Sequence, residues 1–287
     1  MFNNSITKKI MRSCFAISMV FLCSCSASFT YNNLSWLSSF WVDDYIDLNK
    51  TQNKQLKEII TTTQAWHRST QLPAYKQDIQ NIKSLFNSTL STKQLKEQVI
   101  FAKKHWQNLL EYAHMPLAEL GATLSNKQRG ELLSNIQNQI NEEQEEFNEK
   151  SLLERKNERL EAQFEYYEKW VDELTTQQKT LITKANEQHK DSKALWLAYK
   201  QNRLNVAIEI FENTDLTQNE LIAQLSTVIK ERERYMSDTL LKTNEQNLNL
   251  YIDLLYQLNT TLSDKQRQSV NDQFDELIET LDDIIQG

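Results

Sequence analysis

LSDKQRQSVNDQFDELIETLDDIIQG, residues 262–287, carries the pattern that decides the fold. Val270, Phe274, Leu277, Leu281 and Ile284 recur at alternating steps of four and three, and Asp272, Asp275, Glu276 and Glu279 fill the gaps. A period near 3.6 puts the apolar set on one helix face and the carboxylates on the other. The stretch also carries its own start signal. Leu262-Ser263-x-x-Gln266 is a capping box: the hydroxyl accepts from the amide of the third helical residue, and the glutamine accepts from the serine's own amide. The signature recurs at Leu90-Ser91-x-x-Gln94, Leu124-Ser125-x-x-Gln128, Leu174-Thr175-x-x-Gln178 and, with glutamate, Leu216-Thr217-x-x-Glu220. Its spacing is irregular, so it reads as a series of capped helices and not as a solenoid of fixed unit.

Outward from these caps, the runs 128–170 and 216–260 hold helical stripes, and each predicts one helix of roughly 60 Å or more. The chain has only 3 glycines and 2 prolines. Sheets spend both on hairpins and bulges, and phosphate-cradling loops need glycine for close backbone approach. The scarcity disfavours all-β folds, doubly wound α/β folds and most nucleotide enzymes. Pro73 is expected to open a new helix, and Pro116 with Gly121 to mark a kink and a turn. The fold class that follows is all-α: an extended bundle of long antiparallel helices, roughly seven or eight, joined by short capped turns.

The net charge of −7 argues against a nucleic-acid partner. All three cysteines, Cys14, Cys23 and Cys25, fall in the first 25 residues, so the body has no sulfur for a metal site or disulfide. Lys8, Lys9 and Arg12 precede the apolar run 13–22, which is too short to span a membrane and has the form of a signal peptide. Leu22-Cys23-Ser24-Cys25 resembles the bacterial lipobox, with cleavage before Cys25 and a lipid on its thiol. Ser26 after the cysteine favours the outer membrane, at its periplasmic face, over the inner membrane. Residues 1–24 are thus a lipoprotein signal peptide. Residues 25–287 are a single helical periplasmic domain, with an aromatic N-terminal part (25–89) and a long-helix part (90–287).

The aromatic part reads Tyr31-Asn32, Trp36, Trp41, Asp43-Asp44-Tyr45-Ile46-Asp47-Leu48, Trp66-His67 and Leu72-Pro73-x-Tyr75. In this order, behind a lipobox cysteine, it resembles an uncharacterised family of Gram-negative lipoproteins known only as a domain of unknown function. That resemblance implies a lipid-anchored envelope protein and no activity. The Leu-Ser/Thr-x-x-Gln starts give a weaker resemblance to periplasmic chaperones of the Spy and CpxP type, which form thin helical cradles, although this chain is about twice their size.

Within that part, Trp36, Trp41 and Tyr45 are spaced to fit a helix face packed on the core; a membrane surface and a partner groove are the alternatives. Asp43, Asp44 and Asp47 lack the glycine of a calcium loop and read as an acidic first turn, so no metal is expected. His67 is expected to be polar, buried and hydrogen-bonded, with Asp47 or Asp44 as a partner that raises its pKa. Glu111-x-x-His114 has no second copy to complete a di-iron site. The run Glu142, Glu143, Glu145, Glu146 and Glu149 reads as a solvated face. The expectation is a non-catalytic scaffold or interaction protein with no cofactor, tethered to the membrane through Cys25. Its envelope partner and oligomeric state stay open. A chaperone-like holdase is the alternative, and an enzyme with a site at Asp47 and His67 is the remote one.

Overall fold

The computed structural model describes residues 25–88 and 90–287; residues 1–24, on which the signal-peptide expectation falls, and the Cys25 and Ser26 side chains lie outside what is described. The described residues form twelve α-helices, one π turn and one 3-10 turn, and no strand. The chain runs through α1 (Cys25–Asn32), α2 (Leu34–Asp43), α3 (Lys50–Trp66), a π turn (His67–Gln71) and α4 (Leu72–Phe86). It continues through α5 (Thr92–Ala122), α6 (Asn126–Glu149), α7 (Leu152–Val171), α8 (Thr176–Gln188), α9 (Lys193–Glu212) and α10 (Gln218–Lys230). After a 3-10 turn (Arg232–Tyr235) it ends in α11 (Asp238–Thr260) and α12 (Asp264–Gln286). Among the described residues no helix is long and apolar enough to cross a membrane.

All five predicted caps form, each as a complete capping box. Asn49 with Gln52 and Ser151 with Glu154 add two more. The second of these divides the run 128–170, expected as one helix, into α6 and α7. The run 216–260 is likewise broken, because the Ser237 hydroxyl accepts from Leu240 N and starts α11. The helices are therefore more numerous and shorter than the stripes suggested, and α5, at 31 residues, is the longest.

The prolines meet expectation only in part. Pro73 stands in the first turn of α4, as expected of a proline that opens a helix, but no loop precedes it: α3, the π turn and α4 follow one another without a break, as one rod. Proline has no N–H and crowds the preceding turn. The π turn widens the spiral just ahead of it, with Leu72 N donating to His67 O. Pro116 and Gly121 both lie inside α5, and the turn comes only after Ala122. Gly121 serves packing instead, since a Cβ there would lie 3.3 Å from Leu225 Cδ1. With Ala118 and Ala122 buried beside it, α5 seats closely on α10. The two run antiparallel, with Gln218 bonded to Ala122 O, Ser226 to His114 and Lys230 to Glu111.

The architecture is an internal duplication. Thr123-Leu-Ser-Asn-Lys-Gln-Arg129 returns as Thr261-Leu-Ser-Asp-Lys-Gln-Arg267, Ala74-Tyr-Lys-Gln77 as Ala198-Tyr-Lys-Gln201, and Trp41-Val-Asp-Asp44 as Trp170-Val-Asp-Glu173. The contacts repeat with the sequence. Gln52 Nε2 donates to Thr123 O, Thr123 Oγ1 and Gln128 Oε1, while Gln128 Nε2 donates back to Gln52 Oε1 at 2.7 Å and to Asp47 O. Gln178 Nε2 donates to Thr261 O, Thr261 Oγ1 and Gln266 Oε1, while Gln266 Nε2 donates back to Gln178 Oε1 at 2.9 Å and to Glu173 O. Lys76 pairs α4 with Asp282 of α12, and Lys200 pairs α9 with Glu143 of α6. The halves are thus interleaved: each contributes its last capped helix to the other half's first rod. Glu143 is thereby drawn out of the expected solvated face. The link from Val171 to Leu174 is shorter than its counterpart before Leu48, and Asp172 there takes a left-handed φ of 72°.

Candidate functional site

The first rod places His67 at the wide π turn, with α1 lying across it. Tyr31 OH is 3.0 Å from His67 Nδ1, and His67 Nε2 is 3.1 Å from Tyr75 OH. Tyr75 packs on the His105 ring at 4.3 Å, tilted by 57°, and His105 Nε2 lies 2.6 Å from Asp78 Oδ2. Around this chain Tyr31 OH donates to Gln64 O, Gln64 Nε2 donates to Tyr31 O, and Arg68 donates to Asn32 Oδ1. Trp66 lies flat on Tyr112 of α5, 4.2 Å away and 8° from parallel. Tyr31, Asn32, Trp66, His67 and Tyr75, separate motifs in the sequence, therefore form one interface holding α1 to the body.

The predicted partner of His67 is corrected here. Both ring nitrogens face tyrosine hydroxyls, and Asp47 is held elsewhere through its backbone, donating weakly to Glu131 and accepting from Gln128. Asp44 and Asp47 are exposed. Tyrosines supply the partners because the π turn aims the imidazole at α1 and at the following turn, away from the 43–47 loop. The expected core packing of Trp36 and Trp41 is also overturned: they are 57% and 52% exposed. Tyr45 does pack inward, with its hydroxyl donating to Gln139 Oε1. Beside the network lies an apolar groove of about 370 Å³, lined by Leu34, Trp41, Ile59, Ile60, Leu109 and Leu117. Among the described residues no three His, Cys, Asp or Glu side chains cluster as metal ligands.

Electrostatically the centre of the network is neutral. Burial lowers the His67 pKa, opposite to the rise expected from an aspartate partner, and the His105 charge adds to that. Burial raises the pKa values of Tyr31 and Tyr75. A neutral imidazole between two protonated phenols uses one N–H and one lone pair, so both contacts can be satisfied. Because folding lowers the His67 pKa, the unfolded chain takes up its proton first as pH falls. The stability present above the ordinary histidine value of about 6.5 is then lost as pH falls toward the folded value. Denaturant melts at pH 7.5 and 5.5 are expected to show a lower midpoint at the acid pH. His67→Gln should shrink that difference and leave a remainder from His189, whose pKa burial also lowers. An undiminished difference in the variant would rule His67 out as a source.

The second half shows that this network is not required by the fold. Tyr199 occupies the place of Tyr75 in the repeated Ala-Tyr-Lys-Gln, yet its hydroxyl is buried without a partner. The π turn, His67 and α1 are what the first half adds. His105 and Asp78 went unnoticed in the sequence, although the Tyr75/Tyr199 repeat would have marked the first rod as the divergent copy. No curated protein matches the chain, and no solved structure does. A family model does match, over residues 44–230, a span that includes His67, Tyr75, Asp78 and His105. The chain belongs to that family, a family of unknown function (DUF6279).

Proposed function

We propose that this protein is a lipid-anchored envelope protein, tethered through Cys25 at the periplasmic face of the outer membrane, that acts by interaction and not by catalysis. The observation that carries the reading is the latch of Tyr31 and Asn32 onto Gln64, His67 and Arg68. It fixes α1, the helix that begins at the lipobox cysteine, against the body. A tether so fixed presents the bundle in one orientation instead of letting it swing. His67 offers no free base, since both nitrogens are engaged, and the Asp47–His67 pair that an enzyme would need is not formed. Photo-crosslinking from the exposed faces of α5 and α11 in intact cells is expected to give one discrete protein adduct. A ladder of weak adducts, or none, would overturn the interaction role.

A holdase is the second reading, and the duplication favours it. Three of the Leu-Ser/Thr-x-x-Gln starts join glutamine pairs, Gln128 with Gln52 in one half and Gln178 with Gln266 in the other, and two copies in one chain account for the size that separated it from the Spy and CpxP type. The purified lipoprotein is then expected to suppress aggregation of an unfolded client at stoichiometric ratio. Unchanged light scattering would remove this reading.

A further inference from the structure

From the face that α1 and α2 turn away from the body, we infer that this protein docks on a lipid bilayer through a second, non-covalent contact made by Phe29, Trp36, Phe40 and Trp41. These four are the exposed aromatics of the N-terminal helices, each more than half accessible. Trp36 and Phe40 lie one turn apart on α2, and Phe29 lies on α1, across the break at Asn33. Trp36 and Phe40 meet edge to face with centroids 5.0 Å apart. The other side of these helices is already used, by Tyr31 on His67 and by Leu34 and Ser38 at the groove; Trp41, which also lines that groove, stands at the boundary of the two sides with 52% of its surface open.

Three features select a bilayer as the occupant. The stretch 25–42 contains no charged residue, whereas the chain as a whole is 25% charged. A protein partner would leave the rim of such a patch polar and charged, while an interfacial helix needs an apolar, aromatic face at headgroup depth. The helices are too short to span, at 8 and 10 residues, so they lie in the interface. Finally, Cys25 begins α1, and a lipid there would hold Phe29 about one helical turn from the acyl region. This last support rests on the anchor proposed above; the uncharged aromatic face does not.

The test uses the mature protein purified from membranes and reconstituted into vesicles of phosphatidylethanolamine and phosphatidylglycerol, with or without brominated acyl chains. Brominated chains are expected to quench tryptophan emission. Trp36→Phe with Trp41→Phe should remove most of that quenching, because the other four tryptophans lie in the body of the bundle. No quenching, or equal quenching in the double variant, would overturn the proposal. So would a dimer or a protein complex that covers the face and shows no quenching. The mass of the Cys25 peptide from the same sample separates the two readings. An acylated cysteine without quenching refutes the docking face alone. An unmodified cysteine with quenching that depends on Trp36 and Trp41 refutes the anchor and supports the face.

Discussion

Gln178→Leu is expected to destabilise the protein by about 3 kcal/mol, far more than the loss of one helix cap. Gln178 is fully buried and has two roles at once. Its Oε1 accepts from Thr175 N, closing the capping box, and also from Gln266 Nε2. Its Nε2 donates to Gln266 Oε1 and toward Thr261. Leucine fills the same volume, so no cavity forms; the cost is polar. Thr175 N and half of the Gln266 amide lose their partners in the interior, and a buried orphaned group costs about 1–3 kcal/mol. For a chain of this size that is a fall of roughly 6–12 °C in Tm. Gln94→Leu is the control. Gln94 makes the same capping box at Ser91 but no pair across the bundle, so about 1 kcal/mol is expected. Gln178→Leu combined with Gln266→Leu should cost less than the sum of the two singles, since they share one network. Equal losses for Gln178→Leu and Gln94→Leu would show that the glutamine pair contributes nothing beyond capping.

That comparison separates what the sequence makes visible from what it hides. A capping box is local, spanning four residues, so all five were legible at Ser91, Ser125, Thr175, Thr217 and Ser263. The all-helical class followed from them and from the missing glycines. What each glutamine amide does with its free N–H is not local. Gln52 meets Gln128 only because α5 returns the chain to its starting level, and nothing at either position signals the partner. The duplication was nevertheless written in the chain, as two nearly identical heptapeptides at Thr123 and Thr261. Irregular cap spacing concealed it because the halves differ in length between their second and third caps. At the candidate site, Tyr31, Trp66, His67 and Tyr75 were legible as separate motifs, alongside Trp36, Trp41, Asp44 and Asp47, which do not join them. The partner of His67 was not, because sequence proximity favoured aspartates while the π turn, a response to Pro73, rotated the ring toward tyrosines. Trp36 and Trp41 were misassigned for a related reason: helical spacing shows that residues share a face, and not which way the face points.

Cys25→Ala is expected to abolish acyl labelling of the protein and its recovery in the outer-membrane fraction. The lipid reading rests on the order of basic residues, apolar run, Ser24 and Cys25, and alanine removes only the thiol that the lipid needs. The size of the effect follows from the two contacts compared. Burial in the acyl region contributes about 0.8 kcal/mol per CH₂, and a single myristoyl chain already gives reversible membrane binding. The several chains of a bacterial lipoprotein make the anchor effectively permanent. Phe29, Trp36, Phe40 and Trp41 are half accessible and offer part of their area each. At about 25 cal/mol per Å² they provide an orienting contact and not an anchor. The alanine variant should therefore lose outer-membrane recovery altogether, instead of shifting partly. The body should be unaffected, since the Tyr31–His67 latch and both glutamine pairs lie beyond position 25, and its helical circular dichroism and Tm should match the wild type. Normal acyl labelling in the variant would refute the lipoprotein reading. Lost labelling with a lowered Tm would instead show that the anchor and the latch on α1 depend on one another.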